Sequence, residues 1–470
     1  MEAVPANGHA EGTALTPAQH AYYVGYIAVL VACFTPFKLL AYTLPTLFTA
    51  WMLYSAYTPA AGNRLAKIAL VAAGIAVLHE ILGHPFILSN YLIALVTFSA
   101  ALPILVLDAR SFGSRELLQR MLLATTVMIL IQGIWGSVQG INEAIHRGTF
   151  GENVGDWVEG TIHPALAAEM AGSNPMFAIN MALMLIACLS LPGIFTGKRT
   201  KALVIGTFSF VLASVVHVFI FLIAAGALSV VLLRRARTVA ETERRSRSRL
   251  AVVLVLGFGL FFLGGQLQIA DKFASDVLDF DSLEVPRAIL LYRVATELPD
   301  DAPYQPYIGL GPGQFSSRAS LIASGLYLGG PDTPKSVPLL PAAATPLARE
   351  YCIPLIYMIA DAPEFTIGST QQPFCSWLTI YTELGLPALL AIFWIAYRLV
   401  MRVCRRASAD PAMRMPAMAF STGAILLVLL GIQEQYWEIP QAILIGLLLL
   451  KVIYGYIMAA AAPRGEPAPP

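Results

Sequence analysis

"RRARTVAETERRSRSR", residues 234–249, lies between two apolar stretches, 218–233 and 250–266. A segment so rich in arginine stays out of a bilayer, and loops of this charge are held on the cytoplasmic side. Placing it there sets the side of every apolar stretch around it. A helix needs about 20 mostly apolar residues to cross a membrane. Such stretches fall near 21–37, 39–57, 66–82, 87–108, 119–138, 176–196, 201–217, 218–233, 250–266, 379–401, 416–433 and 440–460. With both termini cytoplasmic, the inner segments collect Arg64 and Lys67, Arg110, Arg115 and Arg120, Lys198, Arg199 and Lys201, and Arg398, Arg402, Arg405, Arg406 and Arg414. Were 201–233 one crossing, Lys198–Lys201 and the 234–249 run would face opposite sides, so it reads as two short helices. The run itself reads as a topology anchor, with a lipid- or partner-binding role as the alternative.

Composition points the same way. The chain has 470 residues, 57% hydrophobic and 13% charged, where soluble domains carry about a quarter charged residues. The expected fold is an all-α integral membrane protein with about twelve transmembrane helices and a large helical extracytoplasmic loop late in the chain. The net charge of +1 gives no reason to expect a nucleic-acid partner. Residues 1–20 are polar and small and read as a disordered cytoplasmic tail without the basic region and cleavage site of a secretory signal. Thr16-Pro17 reads as a cap followed by proline at the first helical position. Residues 21–460 form a single polytopic membrane domain, and 461–470 a further disordered tail.

Two outer segments are too long to be connectors: 139–175 and 267–378. The later one contains "PRAILLYRVATEL", which predicts a helix from Pro286 with Leu290, Leu291, Val294 and Leu298 as its apolar stripe. Arg287 and Arg293 project about 120° apart on that helix, and Glu297 at i+4 offers Arg293 a plain salt bridge. "GLGPGQFSSRAS", 309–320, places Gly309, Gly311 and Gly313 in alternation. Such a stretch either makes a tight turn or lets the backbone approach a bound phosphate. It has neither the third glycine of a dinucleotide fingerprint nor the GK[ST] of a P-loop.

Metal chemistry finds no obvious ligands. "DFD" at 279–281 reads as an acidic solvated turn. In "LHEILGH" the later histidine, His84, falls five residues after His79, off the face a zinc motif needs, so no metal is expected there or elsewhere. Cys352 and Cys375 share the large loop, either as a disulfide or as two buried thiols.

Three stretches together resemble the O-antigen polymerase and O-antigen ligase (Wzy-like) superfamily. They are "RAILLYRVATELPDDAPYQPYIGLGPGQF" (287–315), "SWLTIYTELGLPALLAIFW" (376–394) and "GDWVEGTIHPALAAEMAGSNPMFAINMALML" (155–185). Of these, 376–394 is similar to the family's L-x-x-x-x-E-x-G opening of a membrane helix. The resemblance implies an inverting, metal-independent glycosyltransferase of the bacterial inner membrane that needs no cofactor. Its donor and acceptor would be undecaprenyl-diphosphate-linked oligosaccharides, joined into a surface or secreted polysaccharide, with other polysaccharide export proteins as further partners.

The family's ligases carry a histidine where this chain has Phe374, which favours a polymerase over a ligase. His217 stands where many relatives have lysine. A transporter or flippase of lipid-linked sugars is the alternative from another class, but such proteins build their sites at mid-membrane from broken helices. On the resemblance, Arg293 and Arg318 are the expected diphosphate contacts, supported by Arg287, Arg147 and the three glycines. Fixed cations of this kind stabilise a leaving diphosphate without delivering a proton. Asp156, Glu159 and His163 are the candidates for the base that the attacking hydroxyl needs. Glu383 is a further candidate base, but reads first as a tether or cap at the start of its helix.

Overall fold

The computed structural model describes residues 14–147, 158–164, 174–191, 199, 201–203, 205–206, 216–237, 285–329, 332–335, 337, 343–361 and 373–460. The expected span 250–266, most of the arginine-rich run, Asp156 and the acidic turn at 279–281 lie outside the described residues. Among the described residues every regular element is helical.

Helix α1 (Pro17–Cys33) opens as its sequence predicts. The Thr16 hydroxyl accepts the Gln19 amide, and the Gln19 side chain accepts the Thr16 amide, so two end donors are satisfied reciprocally. Next come α2 (Lys38–Ser55), α3 (Pro59–Ile81) and α4 (Leu88–Ser99). The expected span 87–108 is broken, because α4 stops at Ser99 and a short helix, Leu102–Val106, follows. Pro103 has no N–H to offer the Ser99 carbonyl. Helices α5 (Arg115–Arg147), α6 (Asn174–Cys188) and α7 (Val216–Arg237) complete the first part of the chain. His217 follows Val216 at the start of α7. The late part holds α8 (Pro286–Thr296), α9 (Ser376–Ala409), α10 (Arg414–Gln433) and α11 (Pro440–Ala459).

Among the described residues, five of the twelve expected spans are helices long and apolar enough to cross a membrane: α3, α5, α9, α10 with the turn before it, and α11. Shorter apolar stretches lie in α4, α6 and α7. Helix α11 is the centre of the bundle and packs against α1, α5, α6 and α10. The most apolar window of α11 is 72% buried, against 6% for α3 and 11% for α9. Those two outer helices turn Leu70, Val71 and Val77, and Leu390, Trp394 and Ile395, away from the protein. Apolar side chains exposed along whole helices call for an apolar surrounding.

The late segment has a second core among its described residues. The expected stripe on α8 is in place: Leu290, Val294 and Leu298 are buried, and Leu291 packs beside them. Leu310, Phe315, Tyr351, Cys352, Leu355, Phe374 and Leu378 close the same cluster. Its last member lies on α9, so this second core is built directly onto the bundle.

Candidate functional site

The site begins with a break in α9. Gly385 sits at φ 81° and ψ 169°, outside helical geometry, and Pro387 follows it. Pro387 has no N–H for the Glu383 carbonyl, and the break at Gly385 frees the two carbonyls before it. Donors arrive from elsewhere in the chain. The Leu310 amide donates to the Thr382 carbonyl and the Gly311 amide to the Glu383 carbonyl, each at 2.9 Å. The Gln305 side chain donates to the Tyr381 carbonyl at 2.8 Å.

The glycine stretch can reach these carbonyls because its backbone comes unusually close. A Cβ on Gly309, at φ 75°, would sit 2.2 Å from the Glu383 carbonyl oxygen, and one on Gly313, at φ 80°, 2.3 Å from the carbonyl of Asn90 on α4. The loop is wedged between α4 and α9.

Its next amides converge on one carboxylate. Glu383 is 2% exposed. Its oxygens accept the amides of Gly313 at 2.6 Å, Phe315 at 3.0 Å and Ser317 at 2.9 Å. Backbone amides so arranged form an anion cradle, and the anion in it is the chain's own. Gly309, Gly311 and Gly313, expected as diphosphate contacts, thus make the tight turn of the alternative reading, and the Gly311 and Gly313 amides are taken by Glu383. The tether role read for Glu383 describes this joint.

Arg318 follows directly. Ser317 caps the helix Arg318–Ala323, which packs on α4. The Arg318 amide donates to Glu438 at 2.6 Å. Its guanidinium donates to the Tyr327 hydroxyl at 2.7 Å and to Glu434 at 3.2 Å. Arg287 reaches the same corner from α8. It is 3% exposed and donates to the Gln433 carbonyl at the end of α10, where a cation complements the helix dipole. Burial lowers its pKa, while Cys375, Glu434 and Tyr436 oppose that shift. Glu438 is buried too, and its pKa is pushed up to about 8, by burial first and then by Glu383, with Arg318 opposing.

A cavity of about 260 Å³ opens beside this cluster. Arg318, Tyr327, Glu434 and Gln435 form its polar wall, and Leu321, Leu326, Ile356, Ile359 and Phe374 its apolar wall. The arrangement suits a ligand with an anionic head and a hydrocarbon part.

The other expected residues lie elsewhere. Arg293 donates to Glu297 at 2.7 Å and to the Glu350 carbonyl at 3.0 Å, and lies over the Tyr351 ring. It does not line the cavity. The structure therefore brings Arg318 and Arg287 together near Glu434 and leaves Arg293 apart. His163 has Glu159 3.9 Å from its Nδ1. Its loop is tied to α5 through Gln132 and Gln139, away from the cavity lining. Arg147 is the last residue of α5. His79 and His84 face each other with their Nδ1 atoms 3.3 Å apart, and no group of three metal-ligating side chains occurs among the described residues. Cys352 and Cys375 are free thiols, and burial pushes Cys352 well up.

Glu434, Gln435, Glu438 and Tyr327 are not among the residues that the sequence singles out. The signal for the first three is "QEQYWE", 433–438, a polar stretch between two strongly apolar helices. Polar groups at such a boundary are costly unless partnered, so they mark either a joint or a site. The chain matches no protein-family model and no curated protein.

Proposed function

We propose that this chain is an inverting, metal-independent glycosyltransferase that joins lipid-diphosphate-linked oligosaccharide repeats into a surface or secreted polysaccharide. In this reading it acts at the outer face of a bacterial inner membrane, with about twelve crossings and both termini cytoplasmic. The observation that supports it is the two-faced cavity: an arginine held in place on one wall, apolar side chains on the other, at the junction of the bundle and the second core. Drug-sized ligands fill about 300–1,000 Å³, so 260 Å³ suits a diphosphate head with the first part of its lipid, the glycan extending outside.

As the acceptor hydroxyl attacks the anomeric carbon, the bond to the diphosphate breaks and its electron pair stays on the phosphate oxygen. The charge of Arg318 stabilises that oxygen without giving up a proton. The hydroxyl proton passes to a general base within hydrogen-bond reach of the acceptor; His163 and Glu159 lie away from the cavity lining and are not assigned that role. Phe374 lines the cavity and offers no imidazole, which supports a polymerase over a ligase.

The test is polymer formation by the purified chain in lipid nanodiscs supplied with lipid-linked repeats. Arg318→Ala is expected to lower polymer yield at least about 100-fold, the scale of losing one charge-stabilising donor, with the protein still folded in the membrane. A normal polymer ladder from Arg318→Ala overturns the assignment.

A further inference from the structure

We propose that Glu434 is the selectivity gate of the Arg318 cavity: its carboxylate occupies the guanidinium at rest, and a ligand carrying a diphosphate displaces it where a singly charged phosphodiester does not. The inference rests on reading the cavity as a diphosphate site and names what that site rejects.

Three carboxylates surround the cavity corner, and their surroundings divide the roles. Glu383 is buried and filled by three backbone amides. Glu438 is 3% exposed and accepts the Arg318 amide. Of the three, Glu434 alone lines the cavity, and its side chain is 22% exposed. The backbone of Glu434 is anchored, because its carbonyl accepts the Ser376 amide at 3.2 Å and the Ser376 hydroxyl at 2.9 Å. The side chain can therefore swing without the chain moving.

Arg318 is held independently of its carboxylate partner. The Tyr327 hydroxyl accepts from the other guanidinium nitrogen at 2.7 Å, and the ring lies under the cation, 5.0 Å from its centroid. When Glu434 leaves, the arginine stays aimed at the cavity. Arg287 lies close enough to Glu434 to feel its charge, so an incoming anion meets the fields of two arginines.

A membrane phosphodiester carries one negative charge. Exchanging one monoanion for another on Arg318 gains little and leaves the displaced carboxylate beside the newcomer, a like-charge contact. A diphosphate offers more charge and more acceptor oxygens to the same guanidinium. Glu434 thereby keeps the abundant lipids of the surrounding bilayer out of a site open to them by shape.

The experiment measures binding of farnesyl diphosphate and of farnesyl methyl phosphate, a singly charged phosphodiester, to the full chain in phosphatidylcholine nanodiscs. Wild type is expected to prefer the diphosphate at least about ten-fold. Glu434→Gln is expected to cut that preference below about three-fold, mainly by tightening the phosphodiester. Glu434→Ala should act in the same direction, and melting curves of both variants show that they are folded. Arg318→Ala should lose both ligands. An unchanged preference in folded Glu434→Gln and Glu434→Ala, with binding still lost in Arg318→Ala, overturns the gate and leaves the diphosphate site standing. Failure of wild type and Glu434→Gln to bind either ligand, or undiminished binding by Arg318→Ala, overturns both.

Discussion

Arg293 and Arg318 belong to the same late segment and each is held by a glutamate, yet the two regions around them differ in kind. The partner of Arg293 is Glu297, one turn along the same helix and 45% exposed. The partner of Arg318 is Glu434, 116 residues away. No acid stands within four residues of Arg318 in the sequence, so its charge is answered only by tertiary structure. A local i,i+4 pair on a helix is worth roughly 0.3–0.5 kcal/mol and says little about function. An arginine answered by a distant acid at the wall of a cavity joins two parts of the molecule and faces a space. The same residue type is a brace in one region and a candidate ligand contact in the other.

The largest test of this contrast is Glu383, because the glycine loop it holds leads straight into Arg318, while its helix also carries part of the second core. Glu383→Ala leaves three buried amides without their acceptor and should cost about 3–5 kcal/mol, read as a lower melting temperature and yield in detergent. A wild-type melting curve would show that the loop is seated by its glycines alone. Arg318→Ala against Arg293→Ala is the direct comparison. Beside the at least about 100-fold loss expected for Arg318→Ala, Arg293→Ala should keep polymer formation within about three-fold and lower stability by about 1 kcal/mol. Comparable loss of polymer in both would erase the distinction and restore a shared clamp.

A smaller effect concerns pH. Glu438 has a pKa of about 8, raised from an ordinary 4.5. Between those values the folded state holds the proton that the unfolded state has lost, so stability falls as pH rises from about 5 to about 8. Glu438→Gln removes that slope. Thermal melts should show the variant more stable than wild type by on the order of 1 kcal/mol or more at pH 8.5, and little changed at pH 5. Equal slopes in the two proteins would show that Glu438 does not titrate against Arg318 and Glu383.

Much of this was readable along the chain. Thr16-Pro17 begins α1, Pro286 begins α8, and the stripe from Leu290 to Leu298 faces a core. These are short-range facts: caps, missing amides and apolar spacing act within a turn or two of helix. The Arg293–Glu297 pair is of the same kind. The glycine stretch shows the other side. Its alternating glycines announced a backbone built for close approach, but not what it would approach. The same amides could cradle a phosphate or a carboxylate, and the choice was made by Glu383, 70 residues beyond Gly313. Pro387 and Gly385 explain why that helix offers free carbonyls at this point, a pattern visible in "TELGLP" only once the two segments are side by side.

The amino-acid sequence by itself determined that the described regions are helical, that several of their helices are made for an apolar surrounding, and that a late segment folds on its own apolar stripe. Hydropathy and helix-end chemistry are local, so a linear reading reaches them. Only the tertiary structure decided which anion fills the glycine turn, which arginine faces a cavity, and that Glu434 stands in front of it. Each of those depends on groups far apart in the chain meeting where water is excluded, and there a charge or an amide takes whichever partner the packing brings.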